Sequence, residues 1–383
     1  MTSAELYQRA LQTMPGGNTR TTLYIPPVPP YASSGEGYVV IDEDGHSTID
    51  LHGNYTSLVH GHRHPAVVAA ASAALDEGIC FGLPTRHDVA LAERLCARIA
   101  AVERVRFANS GTEAVLMAVR TARAFTGRSK VLRFAGSYHG MAEAVLPADS
   151  RGLPAGVAAD LVTVPVADAD ALGDAIARHG GDLACVVIDL MPNRAGLEPV
   201  PQAFAELVRS ETRRNGIVLI VDEVITLRLA PDGLHGLYRI APDLVTMGKV
   251  IGGGFAIGAW GGSASVMGVL DPRVPGAIAH AGTFAANPVT MRAGLAAVDL
   301  LDAAATDRLN ALGEDLRARV AALGYRVAGK GSLFRVLDRE ADDGWWRLYR
   351  AGLLIGRNGL CSLSTVMDAS TLDEVERRFA AAR

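Results

Sequence analysis

The sequence predicts an α/β protein, in which a mostly parallel β-sheet lies between helices and a smaller α+β unit follows. From about residue 65 to 270, short runs rich in β-branched residues alternate with alanine-rich amphipathic stretches. This alternation is typical of parallel strands joined by helical crossovers. The predicted strands are VRFA, KVLRFA, LVTVPV, ACVVIDL, IVLIVDEV and DLVTMG. From about residue 288, long helical stretches and a few short strand-like runs indicate the second unit.

Ahead of the alternating region, the sequence predicts an extended arm and a β-hairpin. The stretch MPGGNTRTTLYIPPVPPY follows a short helical start, and its prolines and glycines favour an extended arm. Apolar and polar residues then alternate in GYVVIDEDGHSTIDL on either side of Asp44-Gly45, a pair typical of hairpin turns. We therefore expect three parts: an arm and hairpin that pack with the small domain (1–50), a large domain (51–289) and a small C-terminal α+β domain (290–383).

The composition argues against several classes of partner. The formal net charge is -4 over 383 residues, with both signs mixed along the chain, so no basic surface for nucleic acid or anionic lipid is expected. The start MTSAELYQRALQTMPGG does not resemble a signal peptide and no apolar run is long enough to span a bilayer, so we expect a cytoplasmic protein. The cysteines are widely separated and contain no C-x-x-C pair, which argues against disulfides or a cysteine-built zinc site.

The first candidate site follows the predicted strand VRFA. The stretch turns through Ser110, Gly111 and Thr112 and then begins a strongly periodic helix. Unpaired N–H groups and the helix dipole make such a turn suitable for a phosphate group, and ligands collect where parallel strands end. The alternative is a simple helix cap, because Ser and Thr are favoured capping residues.

The second candidate is the acidic pair Asp222-Glu223 at the end of the buried run IVLIVDEV. A carboxylate in such a position is costly unless a cation or a proton donor compensates it. A magnesium ligand of a P-loop enzyme is one alternative, but the sequence contains no G-x-x-x-x-G-K-[ST] motif. A cap for the next helix is another. The remaining hypothesis is that the acid pairs with a protonated ring nitrogen.

The third candidate is Lys249, which follows LVTMG and precedes VIGGG. An ammonium that is partly removed from water has a lowered pKa, which favours an amine able to form a Schiff base. The alternative is an ordinary surface lysine at the start of a loop. A phosphate-binding turn, a buried acid and a desolvated lysine, each after a different strand, are together what pyridoxal 5'-phosphate requires.

These motifs resemble those of the class III aminotransferases, which are pyridoxal-phosphate enzymes of fold type I. NSGTEA, GSYHG, VDEV, PDLVTMGKVIGGG and HAGTFAANPVTMRAGLAA occur in the order of that family. MPGGNTR, GHRHPAV and LSTVMD are most similar to glutamate-1-semialdehyde aminomutase-like proteins, in the branch that includes β-amino-acid aminotransferases of the β-phenylalanine type. The resemblance implies a large domain with a mostly parallel sheet of the seven-stranded type.

The resemblance also implies roles for residues around the cofactor ring. Lys249 would carry the cofactor as a Schiff base, and Asp222 would pair with the pyridine nitrogen. Val224 would pack on one face of the ring and Tyr138 on the other, with the neighbouring His139 also at the cofactor. When a substrate amine displaces Lys249, the freed amine would move the proton at the substrate carbon.

Further implied roles concern the phosphate and the oligomeric state. Ser110, Gly111 and Thr112 would hold the phosphate. Thr283, in the motif GTF, would reach the phosphate bound by a partner subunit, so the resemblance implies a homodimer with shared active sites. One position departs from the family, because Asp189-Leu190 occupies the place of its usual Glu-Pro pair.

Three residues are candidates for substrate binding. Arg20 corresponds to a position that binds the substrate carboxylate in the β-amino-acid branch, and Arg357 is a second candidate. A guanidinium suits a carboxylate, although in a sequence this rich in arginine either residue is alternatively a solvated surface group. Tyr55 would line the substrate pocket, or alternatively belong to the core.

We therefore expect an aminotransferase that moves an amino group between a carboxylate-bearing amino acid, such as a β-amino acid, and a keto acid or aldehyde. The nearest alternative is an aminomutase of the glutamate-1-semialdehyde type. A non-catalytic cofactor-binding protein is disfavoured by Lys249 and Asp222. A zinc hydrolase would use His60, His62 and His64, which share one face if the segment is a strand.

Overall fold

The N-terminal segment contains the arm and the hairpin that the sequence predicts. The structure is a computed structural model, and it describes residues 1–338 and 341–383. Reciprocal hydrogen bonds between Thr2 and Glu5 form a capping box at the first helix. Gly45, with φ of 80°, lies in the turn between the second and third strands. The elements are α1 (Ser3–Leu11), β1 (Ala32–Glu36), β2 (Val39–Asp42), β3 (Ser47–Asp50) and α2 (Gly53–Thr56).

The middle of the chain alternates between helices and strands, as its sequence pattern predicts. In chain order the elements are α3 (Pro65–Glu77), α4 (Arg86–Arg98), β4 (Arg104–Ala108), α5 (Gly111–Thr126), β5 (Lys130–Phe134), α6 (Ala155–Ala158), β6 (Leu161–Val164), α7 (Ala169–His179), β7 (Leu183–Ile188), α8 (Gln202–Arg214), β8 (Val218–Asp222), α9 (Gly233–Leu237), β9 (Leu244–Gly248), β10 (Gly258–Gly262), α10 (Ala264–Met267) and α11 (Pro288–Leu300).

These strands form one seven-stranded sheet in the order β4-β10-β9-β8-β7-β5-β6. The strands from β5 to β9 run parallel to their neighbours, whereas β10 is antiparallel to both β4 and β9. Every residue of β7, β8 and β9 is buried, as expected of strands covered on both faces. The mostly parallel α/β fold with a seven-stranded sheet is therefore confirmed.

The C-terminal segment contributes short strands and three helices. Its elements are α12 (Ala303–Ala322), β11 (Val327–Lys330), β12 (Leu333–Val336), α13 (Ala341–Arg350), β13 (Leu353–Leu354), β14 (Leu360–Ser362) and α14 (Ala369–Ala381). Strands β11, β12 and β14 form an antiparallel sheet. Strand β13 pairs in parallel with β3, which completes a four-stranded sheet with the N-terminal hairpin. No helix in the two described ranges is long and apolar enough to cross a membrane.

The described residues form two compact units. One, which we call the small unit, combines Met1–Pro65 with Arg308–Arg383, and the other, the large unit, is Ala66–Asp307. The domain boundaries expected from the sequence, 50/51 and 289/290, differ from both boundaries between these two units.

Tertiary contacts explain both differences. The backbone oxygens of Leu51 and Val59 accept hydrogen bonds from the N–H groups of Ser362 and Thr365, so residues up to 65 belong with the C-terminal segment. Helix α11 belongs with the large unit because its apolar face, which includes Ala293, forms a cluster with α3. The sequence pattern shows that α11 is a helix but does not show which unit it packs against.

One glycine of the sheet packs directly against the turn that precedes α5. A Cβ added at Gly258 in β10 would lie 1.9 Å from the backbone oxygen of Ser110, a distance that requires the backbone to move. We expect Gly258→Ala to lower the free energy of unfolding by about 3 kcal/mol or to prevent folding. Thermal and urea unfolding measure this effect. Gly156→Ala, in α6, is the matched control because a Cβ there meets no atom within 4 Å; equal losses in the two variants would contradict the packing argument.

Candidate active site

The residues predicted to hold the cofactor ring and Ser110 to Thr112 of the predicted phosphate turn lie at one edge of the seven-stranded sheet. Strands β4 and β9 have the same direction because both are antiparallel to β10, and β5, β7 and β8 run parallel to β9. The carboxyl ends of all these strands therefore lie at the same edge, where ligands bind in open α/β sheets. The side chains that end or follow them are Ser110 and Thr112 after β4, Tyr138 and His139 after β5, Asp189 after β7, Asp222 in β8, and Lys249 after β9.

Close contacts among small residues bring three of these segments together. A Cβ at Gly111 would lie 3.2 Å from Cγ1 of Val224, and a Cβ at Gly248 would lie 3.5 Å from the same atom. The Gly248 Cβ position is also 3.8 Å from Cα of Gly111. The turn before α5, the residue two positions after Asp222 and the residue before Lys249 are thus neighbours.

The turn before α5 has the geometry of a helix N-terminus. Ser110 is the cap residue, and its Oγ accepts a hydrogen bond of 3.1 Å from the N–H of Glu113. The N–H groups of the first helical turn have no partner inside the helix. Thr112 Oγ1 accepts a 3.2 Å hydrogen bond from the N–H of Met141, in the segment after β5. The helix end can therefore present both N–H groups and a positive dipole to an anion.

Asp222 is held as a buried carboxylate by three hydrogen-bond donors. Its Oδ2 lies 2.8 Å from Nδ1 of His139, and its Oδ1 accepts hydrogen bonds from Thr246 Oγ1 at 3.0 Å and from the N–H of Val224 at 3.1 Å. Burial by itself raises the pKa of Asp222. The hydrogen bonds from His139 and Val224, and the charges of His139 and Lys249, more than offset this effect and hold the pKa below its usual range.

Glu223, the other acid of the predicted pair, has a different environment. It is completely buried, and its carboxylate accepts hydrogen bonds from Thr226 Oγ1 at 2.5 Å and from the N–H of His235 at 2.7 Å. Nδ1 of His235 lies 2.8 Å from the same carboxylate. Glu223 therefore fixes the segment after β8, and only Asp222 is bonded to His139.

Lys249 begins a short 3₁₀ turn after β9 and has a strained backbone, with φ of 49°. In the described part of the chain, its amine makes neither a hydrogen bond nor an ion pair that would hold it. Burial lowers the pKa of Lys249, although the negative charges of Asp222 and Asp189 act in the opposite direction. Its amine is thus more readily deprotonated than that of an ordinary surface lysine.

Asp189 is a second buried acid at this edge. Burial and the charges of Asp222 and Glu223 raise its pKa to about 7, against the effect of His139 and of a 2.9 Å hydrogen bond from the N–H of Met191. Asp222 has three hydrogen-bond donors, whereas only this one is found for Asp189 among the described residues. When neighbouring carboxyls repel each other, the pKa of the less stabilised one is raised, and here that carboxyl is Asp189.

Tyr138 and His139 have contrasting environments. His139 is buried, and its Nε2 has no hydrogen-bond partner among the described residues. Tyr138 is 36% exposed, and the guanidinium carbon of Arg194 lies 4.0 Å from the centre of its ring. Arg194 was not identified from the sequence, because nothing in its local pattern separates it from the many other arginines.

Thr283 is exposed on the large unit, and a Cβ at the preceding Gly282 would lie 3.7 Å from Nδ2 of Asn109, the residue before Ser110. It lines a cavity of about 250 Å³ together with residues 80–85 and 285–288. Its predicted contact with the phosphate of a partner subunit stays a prediction.

The three candidate substrate residues all belong to the small unit. Arg20 Nη2 donates a 3.1 Å hydrogen bond to Oδ1 of Asn54, and the Arg20 guanidinium carbon lies 5.2 Å from the centre of the Tyr55 ring. Arg357 donates a 2.8 Å hydrogen bond to the backbone oxygen of Tyr24. The structure thus brings Arg20 and Tyr55 together.

The backbone around Tyr55 is strained. Gly53, Asn54, Tyr55 and Thr56 all have positive φ, of 52°, 46°, 57° and 75°. Successive non-glycine residues in the left-handed region are costly and occur most often at functional sites. This strain gives an independent reason to assign a function to the segment that contacts Arg20.

The three clustered histidines do not form the strand that a zinc site would require. The segment from His60 to His64 is a turn, because the two residues between the histidines have positive φ. His60 Nδ1 lies 2.8 Å from Thr365 Oγ1, and His62 Nε2 lies 2.7 Å from Asp50 Oδ2. Among residues 1–338 and 341–383, no three His, Cys, Asp or Glu side chains are grouped so that they could hold a metal ion. The zinc-hydrolase alternative therefore has no geometric support.

Comparisons with known proteins identify similar chains. Residues 26–374 match a family model described as "Aminotransferase class-III". A protein of Methanothermobacter thermautotrophicus named glutamate-1-semialdehyde 2,1-aminomutase is 40% identical over 353 residues, which cover 88% of this chain and 83% of that relative.

Two solved structures are also similar over nearly the whole chain. One, described as a transaminase with PLP bound, is 40% identical with a TM-score of 0.96, and the match covers 99% of this chain and 96% of that one. The β-phenylalanine aminotransferase of Variovorax paradoxus is 34% identical with a TM-score of 0.92, and the match covers 99% and 92% of the two chains.

The raised pKa of Asp189 predicts a stability that depends on pH. The unfolded carboxyl ionises near 3.8 and the folded one near 7, so wild type loses stability as pH rises between these values and has the full penalty above them. Asp189→Asn removes the penalty and keeps an acceptor for Met191. We expect the stability of Asp189→Asn relative to wild type to rise by on the order of 2 kcal/mol between about pH 5 and pH 8.

Urea unfolding of the cofactor-free protein at both pH values measures this difference. Asp149→Asn is the control, because Asp149 is exposed on the large unit. A stability difference for Asp189→Asn that stays constant with pH would show that Asp189 does not hold the proton.

Proposed function

The chain belongs to the class-III aminotransferases, and from this premise we propose that it transfers an amino group between a carboxylate-bearing amino acid and a keto acid or aldehyde. Its cofactor is pyridoxal 5'-phosphate. The observation that carries the proposal is the position of Lys249, a desolvated amine beside the ionised Asp222 at the ligand-binding edge of the sheet. This combination supplies both covalent attachment and control of the cofactor's charge.

The residues at this edge fit the chemistry of the cofactor. Asp222 offers a buried negative charge to a protonated pyridine nitrogen, and Ser110, Gly111 and Thr112 offer a helix N-terminus to a phosphate. A side chain at Gly140 would lie 2.4 Å from Thr112 Oγ1, so glycine at that position keeps the Thr112 hydroxyl accessible. When bound, pyridoxal phosphate supplies an electron sink for charge that develops at the substrate carbon.

Asp222 and Lys249 perform the central tasks in this proposal. Asp222 would hold a proton on the ring nitrogen, and the hydrogen bonds from His139 and Thr246 keep Asp222 itself ionised. Lys249 would hold the cofactor covalently, and its amine, once free, would move the proton at the substrate carbon, a task favoured by its lowered pKa.

The other residues orient the ring and complete the assembly. Val224 would pack on one face of the ring and Tyr138 on the other, and Val224 lies close to Gly111 of the phosphate turn. Thr283 binds the phosphate of a partner subunit, so we propose a homodimer in which each subunit contributes to both active sites.

We propose a β-amino acid as the amino donor, with its carboxylate bound by Arg20. The supporting observations are the contact of Arg20 with Tyr55 on a strained segment and the likeness to a β-phenylalanine aminotransferase. A guanidinium binds a carboxylate through two parallel hydrogen bonds. Arg357 is the second candidate.

An aminomutase is the second candidate function, supported by the 40% identity to a protein of that name. The two activities differ in stoichiometry. A transaminase needs an acceptor for every turnover, whereas a mutase converts a single substrate by itself. Sustained product formation from glutamate-1-semialdehyde without any acceptor would favour the mutase and exclude the transaminase proposal.

Lys249→Ala tests the covalent role. We expect the wild-type protein to be yellow, and borohydride to fix the cofactor on one lysine. The variant should lose at least about 10³-fold in kcat because it lacks the proton-transferring group. Peptide mapping after borohydride reduction provides internal controls, since Lys130 and Lys330 are the chain's other lysines. Label on either of those, or full activity of Lys249→Ala, would refute the assignment.

Arg20→Gln tests the substrate class with two matched amines. β-Phenylalanine and 1-phenylethylamine differ by the carboxylate, so removal of the guanidinium should lower kcat/KM for the first by about 10- to 100-fold and leave the second nearly unchanged. The half-reaction, followed by the absorption of the bound cofactor, measures both. Equal losses for the two amines would mean that Arg20 is structural.

A further inference from the structure

The strained turn at residues 53–56 is held by a buried carboxylate. Asp50, the last residue of β3, is 5% exposed, and its Oδ1 accepts hydrogen bonds of 2.8 Å from the N–H groups of His52 and Gly53. Burial by itself raises the pKa of Asp50, but hydrogen bonds, chiefly those from His62 and Gly53, more than offset this effect and hold the pKa below its usual range. Asp50 is therefore an ionised acceptor at the point where the left-handed conformation begins.

His62 fixes the other oxygen of the Asp50 carboxylate. Its Nε2 lies 2.7 Å from Oδ2 of Asp50. The imidazole packs against the backbone of β1, where a Cβ at Gly35 would lie 2.7 Å from Nδ1 of His62. The backbone of His62 is itself paired with that of Gly37 through hydrogen bonds of 2.6 Å and 3.0 Å. Both oxygens of Asp50 are thus engaged, and the carboxylate cannot rotate away from the turn without breaking a hydrogen bond.

The side chains that leave the turn contact Arg20. Asn54 and Tyr55 have φ of 46° and 57°. Arg20 Nη2 donates a 3.1 Å hydrogen bond to Oδ1 of Asn54, and the guanidinium carbon lies 5.2 Å from the centre of the Tyr55 ring. The left-handed and right-handed helical regions differ by about 120° in φ, so a return to the ordinary region would turn both side chains away from Arg20. The position of the guanidinium therefore depends on the conformation of the turn.

Arg20 keeps its positive charge available in this arrangement. It is exposed, and in the described part of the chain it makes no ion pair. Its contacts are a neutral amide and an aromatic ring. His52, whose ring centre lies 4.1 Å from that of Tyr55, is uncharged at neutral pH, because burial lowers its pKa to about 4, with Arg20 acting in the same direction and Asp50 in the opposite one. The turn thus fixes the guanidinium without neutralising it.

We propose that Asp50 is a positioning residue for recognition of the amino donor. By holding residues 53–56 in the left-handed conformation, it keeps Asn54 and Tyr55 against Arg20 and so fixes the guanidinium that binds the carboxylate of the donor. This inference rests on the proposed function, which assigns that carboxylate to Arg20. Strained residues persist only where the surrounding structure holds them, and the two hydrogen bonds to Asp50 provide that restraint at the start of the turn.

Paired substitutions at Asp50 test this role in the holoenzyme, with the half-reaction followed by the absorption of the bound cofactor. Asp50→Ala removes the acceptor that holds the turn. We expect KM for β-phenylalanine to rise at least about tenfold, with kcat changed by less than about twofold. For 1-phenylethylamine, which lacks the carboxylate, kcat/KM should stay within about twofold. A loss shared equally by the two amines would overturn the role, because Asp50 would then be structural.

The conservative variant and a surface variant are the controls. Asp50→Asn keeps Oδ1, and an amide oxygen can accept hydrogen bonds from both N–H groups. It should therefore remain within about threefold of wild type for both amines, and a loss as large as that of Asp50→Ala would contradict the hydrogen-bond argument. Glu43→Ala removes an exposed acid between β2 and β3 and should have no effect on either amine.

A double substitution shows whether Asp50 acts through Arg20. If it does, the variant that combines Asp50→Ala with Arg20→Gln should lose no more kcat/KM for β-phenylalanine than Arg20→Gln alone, since each change removes the same interaction. Losses that multiply would mean that the two residues act independently, and this result would overturn the inference.

An equilibrium measurement gives a readout that does not depend on turnover. 3-Phenylpropanoate has the carboxylate and the ring of β-phenylalanine but no amine, and it is titrated by calorimetry into wild type and the variants. We expect its Kd to rise at least about tenfold in Asp50→Ala and in Arg20→Gln, and by less than about threefold in Asp50→Asn. An unchanged Kd in Asp50→Ala would overturn the role of Asp50.

His62→Ala provides a second variant if Asp50→Ala does not fold. The His62 side chain is 23% exposed, and its removal releases only Oδ2 of Asp50. KM for β-phenylalanine should then rise at least about threefold, with 1-phenylethylamine again unchanged. Equal effects on the two amines, or no effect on either, would overturn the inference.

Failure of the inference is distinguishable from failure of the proposed function. A carboxylate-selective loss in Arg20→Gln without one in Asp50→Ala would overturn the role of Asp50 alone. No selective loss in Arg20→Gln would refute the donor assignment and this inference with it, whereas amino-group transfer would stand. A wild-type protein that binds no pyridoxal phosphate would refute the proposed function, and the 3-phenylpropanoate titrations would still decide whether Asp50 and Arg20 act together on a carboxylate.

Discussion

The hydrogen bonds that keep Asp222 ionised are the interaction on which the rest of the candidate site depends. A carboxylate at the end of a buried strand would take up a proton if it lacked donors. His139 and Thr246 each provide one, from the loop after β5 and from β9. Three segments that are distant in sequence must therefore meet to keep Asp222 ionised, and that charge in turn influences the pKa values of Lys249 and Asp189.

The two acids at the ends of β7 and β8 show how position decides charge. Asp189 directly follows β7, and Asp222 is the last residue of the neighbouring β8. The two strands are paired up to Ile188 and Val221. They are chemically identical, yet the pKa of Asp222 is lowered while that of Asp189 is raised to about 7. Burial and the charge of Asp222 raise the pKa of Asp189, whereas the hydrogen bonds and charges around Asp222 more than offset its burial. The site thus combines an ionised carboxylate with a carboxyl whose pKa is about 7.

The segment after β7 brings two ionisable side chains to the candidate site. Asp189 directly follows the strand, and the same loop places Arg194 over the ring of Tyr138. An acid and an arginine that alter the charge near the proposed cofactor ring thus lie within six residues of each other.

The sequence by itself determined the alternation that produces the seven-stranded sheet, and it indicated Ser110, Asp222 and Lys249 as candidates, which the structure places at one edge of that sheet. These signals are local: a period of hydrophobicity, an acid directly after an apolar strand, and a lysine between an apolar run and glycines. These signals do not depend on loop conformation, because the residue that follows each parallel strand lies at the same edge of the sheet.

Only the tertiary structure decided which groups interact there. The hydrogen bond between His139 and Asp222 joins residues 83 positions apart. The contact between Glu223 and His235 shows that two adjacent acids, which are equivalent in the sequence pattern, have different partners. The protonation of Asp189, the stacking of Arg194 and the assignment of α11 to the large unit also arise from long-range contacts. Such contacts depend on the packing of loops and helix faces, for which a local pattern in the sequence contains no signal.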